Sequence, residues 1–460
     1  MVGIITGGFG LAACSGCKSP PEQAPASGAD AGAPEGAVAD AARDVGYLET
    51  DLLPADQWAP IPGLPQECGE RIALDPNTAV PKLDWKPCSA KWGPGCRRVD
   101  NTWSKWPYGA LGGGFDEPVR RNGKGGAIRI SYSRIEWLDG NINFARAYFV
   151  IEELSGERSV ALGLAPGKSG LDCSGRPFLG SQTVALAAAG RAGRTQEFLA
   201  VGPRSLPPKL TAHVTPLVDF EITDPFLVTL GTQGHVFYGG DPPSTAIYDP
   251  SNRRLTIPKT DGGKLLDVFP YAAADEGVLT IGYDSAGYPL RVGYMAPDGT
   301  YSPLFQASPQ HYVTGLTLDR GVDPPQIVWT EARDEGGVFA STELWTSPFA
   351  TTAAGVAKRL VAKDDFGPGF GFVYVSADRG RALFRNGIHS ARLVRLSDGM
   401  GWSLTADPGE AFTEIAGLAD DDAWLFVTQE DPKVQNLPRE TAILRARFDD
   451  LGPPTVPRGF

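Results

Sequence analysis

From about Leu48 onward the chain alternates between short apolar runs and polar turns, and the alternation has a period. Five stretches superimpose as apolar strand, polar turn, apolar strand: LVTLGTQGHVFYGG (227–240), PYAAADEGVLTIGYD (270–284), TGLTLDRGVDPPQIVWTEA (314–332), FVYVSADRGRALFRN (372–386) and EIAGLADDDAWLFVTQ (414–429). Their turn positions Gly234, Gly277, Gly321, Gly380 and Asp422 lie 43, 44, 59 and 42 residues apart. VALAAAGRAGRTQEFLAVG (184–202) reads as a sixth copy, with Gly193 41 residues before Gly234. A second hairpin follows in several units: AIYDPSNRRLTIP (246–258), VGYMAPDGTYSPL (292–304) and LVRLSDGMGWSLT (393–405) align Leu255, Tyr301 and Trp402. Short apolar runs closed by Gly and Asp predict strands and hairpins.

Four short strands repeating every roughly 40–50 residues predict a β-propeller. Each unit exposes an apolar face until its neighbour covers it, so the units must close into a ring. GGAIRISYSRIEWLDGNINFARAYFVIEELSGERSVALGL (125–164) supplies at least three more strands and one more unit. Residues 68–115 hold a further strand or two, which complete the last unit or form an eighth. The expectation is an all-β fold: a propeller over 125–460, seven-bladed with eight as the alternative, behind an N-terminal segment at 46–124. The count of 57 Gly and 40 Pro, against 3 Met, fits many short punctuated elements.

One unit resembles a kelch blade. Gly239-Gly240 ends a strand, Tyr248-Asp249-Pro250 opens a turn, and Leu255 stands where kelch repeats carry Trp. The resemblance covers Gly234 to Pro258 and implies a propeller; the other units lack the double glycine.

The N-terminal region has a different character. Val2 to Ala13 is apolar and too short to span a bilayer, the size of the core of an export signal. Leu11-Ala12-Ala13-Cys14 resembles a bacterial lipobox, with small residues before the cysteine that receives the lipid. The resemblance implies a signal-like segment at 1–13 and lipidation at Cys14. Lys18 to Asp44 is built almost wholly from Ala, Pro, Gly, Ser, Asp and Glu and cannot bury enough apolar surface to order itself. Residues 14–45 are therefore expected to be a tether, with a root-mean-square reach on the order of 30 Å. The expected partner is a membrane, reached through a lipid anchor, and the expected location is the cell envelope, outside the cytoplasm.

Charge and cysteines sharpen this picture. With 42 basic and 54 acidic residues, net −12, the chain lacks the basic face of a nucleic-acid binder. Cys88 and Cys96 flank SAKWGPG, whose Gly-Pro-Gly turn brings its ends within disulfide reach. Cys68 and Cys173 would then pair by elimination, although four cysteines allow three connectivities. Cys14-Ser15-Gly16-Cys17 has no matching second pair, so no zinc framework forms.

The motifs that suggest enzyme chemistry fail on inspection. GLAPGKS (163–169) leaves three residues between its glycines where a phosphate loop needs four, and no helix follows. GALGGGF (109–115) also precedes no helix. Asp275, Asp319 and Asp378 belong to turns closed by glycine, and Asp420-Asp421-Asp422 lacks the ligand spacing of a calcium loop. The four histidines show no metal spacing, no Gly-x-Ser-x-Gly elbow is present, and no cofactor is indicated. Residues just ahead of the innermost strands, Asp224, Asp267, His311, Asp365 and Glu414, could converge at one mouth of the channel on a small cationic ligand or a metal.

The functional expectation is a membrane-tethered binding or scaffold module with an envelope protein or glycan as partner. The alternative is a propeller hydrolase or lyase on glycans or peptides. It would require two carboxylates roughly 5–9.5 Å apart at the channel mouth.

Overall fold

The computed structural model describes residues 85–100, the strand backbones between 120 and 230, and, with short gaps, residues 231–455. Cys14, Cys17, Cys68 and Cys173, the expected anchor and the tether lie outside the described residues, as does GALGGGF.

The strands, in chain order, are β1 (Trp85–Pro87), β2 (Arg97–Asp100), β3 (Arg120–Arg121), β4 (Ala127–Leu138), β5 (Asn141–Glu153), β6 (Arg158–Leu164), β7 (Gly175–Leu179), β8 (Thr183–Gly190), β9 (Gln196–Pro203) and β10 (Thr211–Pro216). Next come β11 (Thr223–Leu230), β12 (Val236–Asp241), β13 (Ser244–Asp249), β14 (Arg254–Thr256), β15 (Val268–Ala274), β16 (Gly277–Tyr283), β17 (Pro289–Met295), β18 (Tyr301–Gln306), β19 (His311–Asp319) and β20 (Gln326–Asp334). The last are β21 (Phe339–Pro348), β22 (Arg359–Asp365), β23 (Val375–Asp378), β24 (Arg381–Arg385), β25 (Ser390–Arg395), β26 (Gly401–Thr405), β27 (Glu410–Ala419), β28 (Asp422–Gln429) and β29 (Ala442–Arg447).

Among the described residues these strands form seven sheets. Six are four-stranded and follow chain order from β3 to β26, so every connection inside them is a hairpin. Strands β7, β11, β15, β19, β23 and β27 each lie against the leading strands of the preceding sheet, and β27 also lies against β3. A ring of such sheets around a channel is a β-propeller.

Five of the superimposed hairpins are the inner pairs of their sheets, and the 246–258, 292–304 and 393–405 hairpins are outer pairs. The sixth copy is displaced. Residues 184–202 fall on β8 and β9, the middle pair of their sheet, because β7 precedes them. The strand that was missed, Gly-Arg-Pro-Phe-Leu, carries Gly and Pro and has no alternation of its own to announce it.

The seventh sheet is built from both ends of the described chain, in the order β1-β2-β29-β28-β27. Strand β2 pairs antiparallel with β29, from Arg97 opposite Arg445 to Asp100 opposite Ala442. Cys88 and Cys96 are joined by a disulfide, with Cα atoms 5.5 Å apart, across the β1–β2 hairpin. Its loop is fastened to neighbours on several sides. Lys91 Nζ donates to the carbonyls of Thr405 and Ala406 at 2.7 and 2.8 Å and pairs with Asp407 at 2.8 Å. Gly95 N–H donates to Asp450 Oδ2 at 2.7 Å. Trp92 is buried in a core shared with Phe384, Leu393, Phe412 and Leu425. This hairpin is the clasp of the ring.

Packing between sheets explains one glycine of the Gly-Gly pair. A Cβ on Gly239 would overlap the ring of Phe269, which the next sheet's inner strand lays across it. At the opposite end the hairpin turns of the inner pairs lock to one another. Arg320 donates to Ala273 O at 2.7 Å, Asp319 Oδ2 accepts from Gly380 N at 2.6 Å, and Arg379 pairs with Asp421 at 2.7 Å. The Asp-x-Gly turns thus join sheet to sheet as well as closing hairpins.

Candidate functional site

All inner strands run in the same sense, so their first residues gather at one mouth. Asp224 is the second residue of β11, Asp267 immediately precedes β15, and His311 opens β19. All three stand at the starts of inner strands of consecutive sheets. The other two are placed differently along their strands. Asp365 is the last described residue of β22, the outermost strand of its sheet, and β23 is described from Val375. Glu414 lies inside β27, opposite Phe426 and four residues beyond the strand's start at Glu410. Glu414 is displaced because β27 begins four residues before it, ahead of its apolar run; residues 366–374, between Asp365 and Val375, lie outside the described residues.

The best-defined part of this mouth lies between the fourth and fifth four-stranded sheets. Tyr288, in the β16–β17 turn, is 45% exposed, and its ring stacks on Tyr312 with centroids 4.7 Å apart and planes at 14°. Asp284 fixes that turn, its Oδ1 accepting from the N–H groups of Ala286 and Tyr288 at 2.9 Å each. Asp267 stands close to Asp284. Partial burial of the Asp267 carboxyl raises its pKa, with Arg291 opposing and Asp284 adding to the effect. The mouth therefore offers a flat aromatic face bordered by carboxylate acceptors.

Behind it a polar row crosses the fifth sheet. Glu331 on β20 faces Glu343 on β21, and Trp329 faces Trp345 two pairs further along. Each indole donates to the carboxylate two residues away: Trp329 Nε1 to Glu331 at 2.9 Å and Trp345 Nε1 to Glu343 at 3.2 Å. Glu331 also accepts from Ser308 N–H at 2.9 Å and pairs with Lys358 at 3.0 Å. Burial alone would raise its pKa, but the bonds from Trp329, Ser308 and Lys358 outweigh burial and hold it below the ordinary value. Glu343 is 3.4 Å from Lys363 Nζ and 3.7 Å from His311 Nε2. Sequence reasoning found His311 and missed both glutamates. The signal was present as a mirrored pair, Trp-Thr-Glu at 329–331 and Glu-Leu-Trp at 343–345, which antiparallel pairing brings face to face.

These two carboxylates do not make a catalytic pair. Glu331 is fully buried and its oxygens are occupied by donors from three residues. Two other histidines have structural partners: His235 lies 3.6 Å from Asp249, and His389 Nδ1 is 3.1 Å from Glu410 O. Among the described residues no group of three or more His, Cys, Asp or Glu side chains is placed to hold a metal ion.

No protein-family model matches the chain, and no curated protein matches it. Among solved structures it is similar to one of YCF48 bound to D1 peptide, at 10% identity and a TM-score of 0.41, over 81% of this chain and 99% of that one. The propeller assignment stands on the sheet order and ring contacts described above.

Proposed function

We propose that this chain is a binding or scaffold module of the bacterial cell envelope, held at a membrane by a lipid on Cys14 and spaced from it by residues 14–45. The working face is the channel mouth that carries Tyr288. One observation carries the binding part: an exposed tyrosine ring held flat against a second ring, beside Asp267 and Asp284. A ring already immobilised offers stacking area at little further entropic cost, and carboxylates accept hydrogen bonds from hydroxyl or amide donors. Glycans and peptides supply both kinds of group, so an envelope glycan or protein is the partner class. The lipobox-like Leu11-Ala12-Ala13-Cys14 supports the anchor. The Cys88–Cys96 disulfide supports a compartment outside the cytoplasm, where such bonds persist.

Both parts can be tested with full-length protein. Cys14→Ser should move the chain from the membrane pellet to the soluble fraction, while Cys17→Ser should not. The soluble Cys14→Ser protein should then co-sediment with washed envelopes, and adding Tyr288→Ala should weaken that binding about tenfold, the loss of one aromatic anchor. Unchanged fractionation of Cys14→Ser refutes the anchor. Co-sedimentation indifferent to Tyr288 refutes the mouth as the binding face.

A further inference from the structure

The outer rim of the seam between the fourth and fifth sheets holds an ammonium group in a box. Lys358 Nζ lies 5.3 Å from the ring centroid of Phe305, 5.6 Å from that of Trp329 and 5.0 Å from that of Trp345. The rings support one another. Phe305 and Trp329 have centroids 4.4 Å apart, and Trp329 and Trp345 stack at 6.3 Å and 12°. The charge partner is Glu331, whose side chain is 0% exposed, and the carbonyl of Gln306 accepts from the same ammonium at 3.2 Å.

Walls and occupant differ in origin. The walls come from β18, β20 and β21, the regular strands of two adjoining sheets. The occupant comes from a surface connection: residues 351–355 are exposed, and the Lys358 side chain is 26% exposed. Glu331 does not depend on Lys358 alone for its place, since Trp329 Nε1 and Ser308 N–H also donate to it from the walls. Trp329 and Ser308 therefore still hold the Glu331 carboxylate when the lysine head leaves. A structural ion pair needs one carboxylate and one ammonium. Three ring faces add something else, attraction for a diffuse positive charge whose substituents need not donate hydrogen bonds, the chemistry by which alkylammonium groups are recognised.

We propose that this box is a recognition site for an alkylammonium group, a primary or methylated amine, and that Lys358 is its resident intramolecular occupant. The ligand enters from the outer rim as Lys358 swings into solvent. The site is separate from the Tyr288 mouth and stands whether or not the chain is tethered. Its ammonium could belong to a lysine of a peptide or to an amine headgroup of a lipid.

The test is a titration of the full-length protein with tetramethylammonium chloride at constant ionic strength, followed by tryptophan fluorescence, with neopentyl alcohol as the neutral isostere. Wild type should give a saturable change with the cation and none with the alcohol. Lys358→Ala should bind at least about tenfold tighter, because the box no longer has to be vacated first. Trp345→Leu should bind about tenfold weaker through loss of one ring face. A trimethyllysine peptide and phosphocholine, titrated in the same way, then tell the two sources apart. No saturable response in wild type, or an equal response to the alcohol, overturns the proposal. So does binding by Lys358→Ala with none by wild type at about a hundredfold more probe, since Lys358 would then be a permanent strut. Should Lys358→Ala fail to fold, the comparison of wild type with Trp345→Leu decides, and equal affinities overturn the proposal.

Discussion

Truncating Trp92 to alanine should open the clasp that closes the ring. The side chain is 3% exposed and meets Phe412 edge-on with centroids 6.3 Å apart. Burying a large aromatic removes about 150–250 Å² from water, worth about 4–6 kcal/mol at 25 cal/mol per Å². Measured Trp-to-Ala truncations in cores fall at about 3–5 kcal/mol. One contribution works the other way. Trp92 Nε1 is buried without a hydrogen-bond partner, so truncation also relieves an unsatisfied donor that costs about 1–3 kcal/mol. The expected loss is therefore about 3 kcal/mol. Trp92→Phe keeps a ring against Phe412 and removes the orphaned N–H, and should lose roughly half as much. Urea unfolding of the oxidised full-length protein measures both. Limited proteolysis within 88–96 should show Trp92→Ala cut faster at the clasp than elsewhere. A loss below about 1 kcal/mol, or equal losses for Ala and Phe, would refute the assignment of Trp92 as the clasp's apolar anchor.

Two further outcomes follow from packing and charge. Gly239→Ala should destabilise by about 1–3 kcal/mol, because its methyl meets Phe269 of the neighbouring sheet; an unchanged melting temperature would contradict that contact. Glu331 has a folded pKa below its ordinary value of 4.5, so its stabilisation is complete above about pH 4.5 and is lost as pH falls through the folded pKa. Glu331→Gln should be less stable at pH 7 and show a flatter acid limb in urea midpoints. Parallel acid limbs for the two proteins would remove Glu331 as a contributor.

Hairpins were legible in the sequence wherever an apolar run met a Gly or Asp turn, since both strand partners then lie within one short window. The displaced copy at 184–202 shows the limit: a hairpin can be recognised without knowing which pair of the sheet it forms, because that depends on a neighbour that carries no pattern. Glu414 is displaced from its strand start for a related reason. A channel mouth is defined by where strands begin, and boundaries are the least determined part of a strand pattern. In the sequence Glu331 and Glu343 are isolated charges on two separate apolar runs. Only the register of β20 against β21 turns them toward one another and beneath two indoles. Trp92 could be seen as part of a cysteine loop, but its destination, a core contributed largely by residues some 300 positions later, could not.

The clasp also determines how the protein bears a mechanical load. A pull from the N-terminal side enters the described structure at Trp85 and begins to unzip β1 from β2, where three residue pairs hold it, Trp85 with Val99, Lys86 with Arg98 and Pro87 with Arg97. At Cys88 the unzipping meets a covalent bond, and tension crosses directly to Cys96. Residues 89–95 are bypassed and stay slack, so Lys91 and Trp92 keep their grip on the neighbouring sheet while force passes into β2 and its pairing with β29. Reduced protein would instead unravel this loop residue by residue. Pulled by its N-terminus in a force spectrometer, the oxidised ring should yield at a higher force, and by a shorter extension, than the reduced one.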